Sequence, residues 1–163
     1  MATYKTVNRK GKYFDEMAKE DVISYILNDK KMIHNYCGGI HVNEHDIVGS
    51  MNQISEHFNK ENGVQIRHFI ISFDSYETNN PFVVNEIAVH AVRFLGKEYQ
   101  AIYAVHENTE FMHIHIAMNP ISYIDGHRYR GTKAEHYEFI NFLRSILKHY
   151  GITRLQYVSS KED

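Results

Sequence analysis

The chain has 163 residues, 43% of them hydrophobic and 23% charged, and a formal net charge of -2. That length holds a core without disulfide staples, and the composition excludes a disordered or fibrous chain. A net charge this small exerts no global pull on a polyanion, so any nucleic-acid site must rest on local lysines and arginines.

The single cysteine, Cys37, excludes an intrachain disulfide and fits a reducing, cytoplasmic compartment. The opening MATYKTVNRKGKYF has no apolar signal core. The longest apolar run, Val22 to Leu27, is too short to span a membrane. With no repeat, low-complexity tract or Gly/Ser/Pro-rich linker, residues 1–163 read as a single domain. The tail from Ser159 to Asp163 reads as frayed.

In chain order, Asp21 opens a short helical stretch, DVISYILNDKK, whose lysines sit where cations favour the helix macrodipole. A second helix is expected from Asp46 to Asn59, stopping before Gly63. Gln65 to Phe73 reads as a central strand, because IRHFIISF mixes β-branched and aromatic residues on both faces. Asn80 and Pro81 then open a helix in which Val84, Ile87, Ala88, Ala91 and Leu95 recur at helical spacing until Gly96.

Tyr99 to His106 and Met112 to Met118 are strand-like runs joined by the polar ENTEF, a hairpin with a long loop. A last helix is expected from Thr132 to Tyr150, with Phe139, Leu143, Ile146, Leu147 and Tyr150 on one stripe and Gly151 beyond its end. The expected order is strand, helix, helix, strand, helix, strand, strand, helix. With a direct hairpin among intermixed elements, the fold class is α+β: a mixed, largely antiparallel sheet with helices packed on it.

Strand alternation in HIHIAM puts His113, His115 and Ala117 on one face and Ile114, Ile116 and Met118 on the other. If Ala104 pairs with His115, His106 falls opposite His113, with Cβ atoms about 4.5 to 5.5 Å apart. Three imidazoles then converge on one point, and as neutral ligands they leave a metal open positions for substrate oxygen. Glu107 and Glu110, in the loop between the strands, are candidates to orient a histidine from behind. The competing reading is ordinary half-exposed strand histidines, since the chain carries 12 of them. His41 and His45, in HVNEH, have no converging partners and read as surface or core residues.

VHENTEFMHIHIAMNPIS resembles the third motif of the relaxases, or mobilisation nucleases, of conjugative and mobilisable plasmids. These belong to the HUH endonucleases, named for two metal-binding histidines flanking a hydrophobic residue, here His113, Ile114 and His115. The resemblance makes His106 the third ligand and matches Asn119 to the residue that closes the motif. IISF, from Ile70 to Phe73, resembles the preceding strand, and DVISYILNDKK resembles the first motif, whose tyrosine is the nucleophile. That tyrosine is Tyr25; Tyr4, Tyr13 and Tyr36 are the other candidates in this half. HRYRGTKAEHYEFINFLRSILKHYGI resembles the basic turn and helix that follow, and the resemblance runs from about Asp21 to Ile152.

The resemblance implies an HUH-endonuclease-like fold and a site-specific transesterase that nicks single-stranded origin-of-transfer DNA and keeps a 5′-phosphotyrosine. It also implies accessory relaxosome and coupling proteins as partners. The implied cofactor is manganese or magnesium, although three imidazoles suit manganese or zinc better than magnesium. Arg128, Arg130 and Lys133 form the best local basic cluster for substrate phosphates, or else a solvated turn before the last helix. Two departures stand out. Many members have aspartates in the loop where this chain has Asn108 and Glu110. Members also usually carry a further C-terminal region for helicase, primase or partner contacts, and this sequence ends soon after the catalytic core.

Two other functions fit the same histidines. A rolling-circle replication initiator or related transposase places its tyrosine after them, where Tyr137 and Tyr150 stand. A non-catalytic DNA-binding accessory protein would bind oligonucleotide without cutting it.

Overall fold

The structure, a computed structural model, describes residues 1–7, 13–107 and 111–158. In chain order the elements are β1 (Ala2–Val7), α1 (Ala18–Ile26), β2 (Met32–Ile40), α2 (Ile47–His57) and β3 (Arg67–Phe73). They continue with α3 (Pro81–Leu95), β4 (Ala101–His106), β5 (Met112–Met118), α4 (Lys133–Lys148) and β6 (Leu155–Val158). The strands form one six-stranded sheet in the order β2-β4-β5-β3-β1-β6. Every neighbouring pair is antiparallel except β1 with β6. This is the mixed, largely antiparallel α+β architecture expected from the sequence.

The sheet divides the helices between its faces. Phe69, Ile71 and Phe73 of β3, with Tyr103, Val105, Ile114 and Ile116, join α3 and α4 in the larger core. On the opposite face Ile102, Ala104 and Ala117 join α1 and α2 through Val22, Ile23, Ile26 and Met51. β4 and β5 are apolar on both faces because helices cover both, apart from the histidines. Among the described residues no helix is long and apolar enough to cross a membrane.

Helix ends follow local chemistry. The Asp46 side chain accepts from Gly49 N–H to start α2, and that of Asn80 accepts from Phe82 N–H ahead of Pro81 in α3. Thr132 and Glu135 form a reciprocal capping box on α4, and Gly151 takes φ +76 beyond its end. α1 departs from expectation: it begins at Ala18 rather than Asp21 and ends at Ile26, so Lys30 and Lys31 lie outside it. Asn28 explains the stop. Its side chain accepts from Lys30 N–H and its carbonyl accepts from the N–H groups of Lys31 and Met32, turning the chain into β2.

β2 was not expected, since MIHNYCGGI shows neither period 2 nor a clean apolar run. Its pairing with β4 is irregular between Met32 and Cys37, with Asn35 at φ 68. β6 is four residues long and edges the sheet beside β1. The expectation for Ser159 to Asp163 falls outside the described residues.

Thr132→Ala should remove the hydroxyl that accepts from Glu135 N–H and cost about 1 kcal/mol of unfolding free energy. Urea denaturation reads this directly, and an unchanged midpoint would show that the box does not hold α4.

Candidate active site

β4 and β5 pair with Ala104 opposite His115 and His106 opposite His113. β5 also pairs with β3, which sets Ile70 opposite His115 and Ser72 opposite His113. Alternation then sends His106, His113, His115 and His68 to the face covered by α1. The rings of His106 and His115 lie 4.2 Å apart, those of His113 and His115 6.2 Å, and those of His68 and His115 5.2 Å. His106, His115 and His68 are buried, and His113 is half-buried.

Burial favours the neutral form of His106, His113 and His115. Desolvation lowers the His106 pKa against the opposing pull of the Ile26 carbonyl, and it lowers that of His113, with His106 adding to the effect. For His115, desolvation and then the neighbouring His106, His68 and His113 push the pKa down to about 2. Neutral imidazole is the form that ligates a metal.

Hydrogen bonding assigns tautomers. His106 Nε2 lies 2.6 Å from the Ile26 carbonyl. A carbonyl only accepts, so Nε2 carries the proton and Nδ1 the lone pair. That Nδ1, and the Nδ1 of His113, are buried with no hydrogen-bond partner among the described residues. Such orphaned buried nitrogens are costly unless something satisfies them. His115 Nδ1 meets His68 Nε2 at 2.9 Å, and His68 Nδ1 meets the Tyr13 hydroxyl at 3.3 Å. If His115 donates to His68 and His68 to Tyr13, His115 Nε2 is left with a lone pair, the usual state of a ligating histidine oriented from behind.

The donor set fits a borderline divalent ion in kind. The rings do not yet converge their donors: among the described residues no group of three or more His, Cys, Asp or Glu is arranged to hold an ion as it stands. Ligation requires the imidazoles to turn about Cβ–Cγ.

Above this cluster stands Tyr25, near the end of α1. Its ring centroid is 5.7 Å from that of His115, 6.1 Å from His106 and 6.4 Å from His68. Val22, Ile23 and Ile26 anchor the helix in the core while Tyr25 stays 44% exposed. The Lys31 ammonium lies over its ring, 4.5 Å from the centroid. Tyr25, His68 and His115 line a cleft of about 280 Å³ together with Lys5, Tyr13 and Asp21.

The remaining expected residues scatter. Glu107 is exposed, and its backbone N–H donates to the Lys31 carbonyl; no hydrogen bond joins its side chain to a histidine among the described residues. Glu110 and Asn108 lie outside the described residues. The Arg128 guanidinium is engaged by the carbonyls of Val64, Lys60 and Asn62, so it braces that loop. Arg130 and Lys133 are exposed at the start of α4. Of the other tyrosines, Tyr4 packs in the larger core and Tyr36 against it, while Tyr13 reaches His68. Asn119 is fully buried, tying the end of β5 to Gln100 and the Met51 carbonyl.

The sequence reading misses His68 and takes Tyr13 only as an alternative nucleophile, not as a partner of His68. The signal for His68 was present: within Gln65 to Phe73 it shares a face with Ile70 and Ser72, and pairing of this strand with HIHIAM puts it beside His115. Tyr13 reaches it across 55 residues of chain, which no local pattern reveals.

Residues 25–152 match the family described as "Relaxase: MobA/VirD2-like, nuclease domain". No curated protein matches the sequence significantly. A solved structure described as "Molecular Basis of Vancomycin Resistance Transfer in Staphylococcus aureus" is similar at 16% identity and TM-score 0.42, covering 78% of this chain and 76% of that one. The family match begins at Tyr25 and spans the histidine strands and α4, and it shows that the chain belongs to the relaxases of the MobA/VirD2-like nuclease-domain family.

Proposed function

We propose that the chain is a metal-dependent DNA relaxase that nicks one strand at a transfer origin through Tyr25 and retains a 5′-phosphotyrosine. The observation that carries this reading is a half-exposed tyrosine poised over a buried, neutral histidine cluster.

His106, His113 and His115 would hold the divalent ion, manganese or magnesium. When bound, it supplies positive charge for the non-bridging oxygens of the scissile phosphate. The Ile26 carbonyl occupies Nε2 of His106, and His68, backed by Tyr13, occupies Nδ1 of His115, which would leave the other ring nitrogen of each for the ion once the rings turn. The Tyr25 phenolic oxygen attacks phosphorus as the bond to the 3′-oxygen breaks. The phenolic proton passes to solvent and one returns to the leaving 3′-oxygen, so a free 3′-hydroxyl departs and the ester energy is kept for rejoining. Lys31 and Lys5 supply cationic charge beside Tyr25 and along the cleft wall.

The replication-initiator alternative meets a topological obstacle. Tyr137 and Tyr150 belong to α4 and its end, in the layer on the far side of the sheet from α1. The Tyr150 hydroxyl donates to Glu86 there, and Tyr137 is 60% exposed. Single-stranded origin DNA is the proposed substrate, and the relaxosome and coupling proteins are the proposed partners.

Incubation with manganese and single-stranded origin DNA, followed by a denaturing gel, tests the nucleophile. Tyr25→Phe should abolish the protein–DNA adduct while Tyr137→Phe retains it; the opposite pattern would transfer the chemistry to α4. For the ligands, titration calorimetry of the DNA-free protein should show His113→Ala weakening manganese binding at least about tenfold. Affinity equal to the parent's would remove His113 from the site. The substrate has its own check: relaxed duplex of the same sequence should be cut far more slowly than the single strand, and equal rates would contradict the relaxase reading.

A further inference from the structure

Beside the catalytic cleft, around the end of β1 and the start of β3, lies a second cavity of about 210 Å³ that shares Val7 and His68 with it. Arg67, Arg130, His136, Tyr129 and Tyr157 line it, with no Asp or Glu among the described residues that line it. Arg67, adjacent to His68 in sequence, points to the opposite face of β3, and both residues line this cavity at the start of the strand.

The polar groups here are only partly satisfied. Arg67 donates one hydrogen bond, to the Tyr129 carbonyl at 3.2 Å, and its Cζ lies 5.7 Å from the centre of the Tyr129 ring. Its Nε is buried without a partner among the described residues, as is the hydroxyl of Tyr129, a residue only 5% exposed. Native structures rarely leave a guanidinium N–H so placed, because the unmade bond costs more than a made one returns. The Glu135 carboxylate is occupied by the backbone N–H groups of Arg130 and Thr132 in the α4 cap. Gly131, at φ +71, leaves open the space in front of Arg67 and His136.

Two arginines, one held in place by the fold and one free at the rim, describe a site for a tetrahedral anion, whose oxygens accept from a guanidinium fork. We infer that this cavity binds a backbone phosphodiester of the substrate strand next to the scissile one, through Arg67 and Arg130. The inference rests on the relaxase reading. It moves the phosphate-holding role from the Arg128 and Lys133 of the basic turn to a pair that sequence proximity does not join.

The site is tested by fluorescence anisotropy of a labelled oligothymidylate binding to the whole chain across a salt series. Arg130→Gln, at an exposed position, should lower the log–log salt slope by about 0.7, one phosphate contact on a single strand. Arg67→Lys keeps the charge and loses the fork, so it should leave the slope in place and weaken binding roughly tenfold. Arg93→Gln, exposed on α3, removes the same charge elsewhere and should change neither. Slopes and affinities for Arg130→Gln and Arg67→Lys that match Arg93→Gln would overturn the cavity assignment while leaving DNA binding intact. A parent protein that fails to bind oligothymidylate at all would overturn the DNA reading beneath it.

Discussion

Successive side chains of a strand point to opposite faces, so the pairing of Ala104 with His115 decides which side of the sheet is chemical and which is structural. It puts His106, His113 and His115 under α1, and Val105, Ile114 and Ile116 against α3 and α4. A slip of one residue would drive the imidazoles into the larger core and the isoleucines toward the cleft, losing both apolar burial and the site. The packing that stabilises the sheet therefore also enforces the histidine geometry.

The same parity extends outward to β3. Phe69, Ile71 and Phe73 belong to the larger core, which leaves His68 facing His115, while Arg67, on the Phe69 face at the start of the strand, lines the neighbouring cavity. α1 completes the arrangement by burying Val22, Ile23 and Ile26, which holds Tyr25 over the imidazoles without burying it. The Ile26 carbonyl, just past Tyr25 in the helix, hydrogen-bonds His106. One helix end thus contributes both a tyrosine above the cluster and a tautomer-setting acceptor within it.

Much of this was legible where the hydrophobic period was strong. α3, β5 and α4 could be read from apolar spacing and from Asn80, Thr132 and Gly151 at their ends, and the register assumed for the hairpin, Ala104 opposite His115, is the one observed. β2 was illegible because its glycines and its irregular pairing erase the alternation, and β6 is too short to carry a pattern. In the site, His68 and Tyr13 act through contacts across the sheet and across long stretches of chain, which a reading by local motif does not reach. Arg128 misled for the opposite reason. It is close in sequence to Arg130, yet its guanidinium is turned to loop carbonyls.

The proposed function makes a spatial claim: a divalent ion held by His106, His113 and His115 would lie on the sheet face that carries Tyr25, across the sheet from α4. Paramagnetic broadening tests it without DNA or turnover. In NMR spectra of protein labelled in its tyrosine rings, substoichiometric manganese should erase the Tyr25 signals and leave those of Tyr150 sharp. Loss of the Tyr150 or Tyr137 signals while Tyr25 stays sharp would contradict the account.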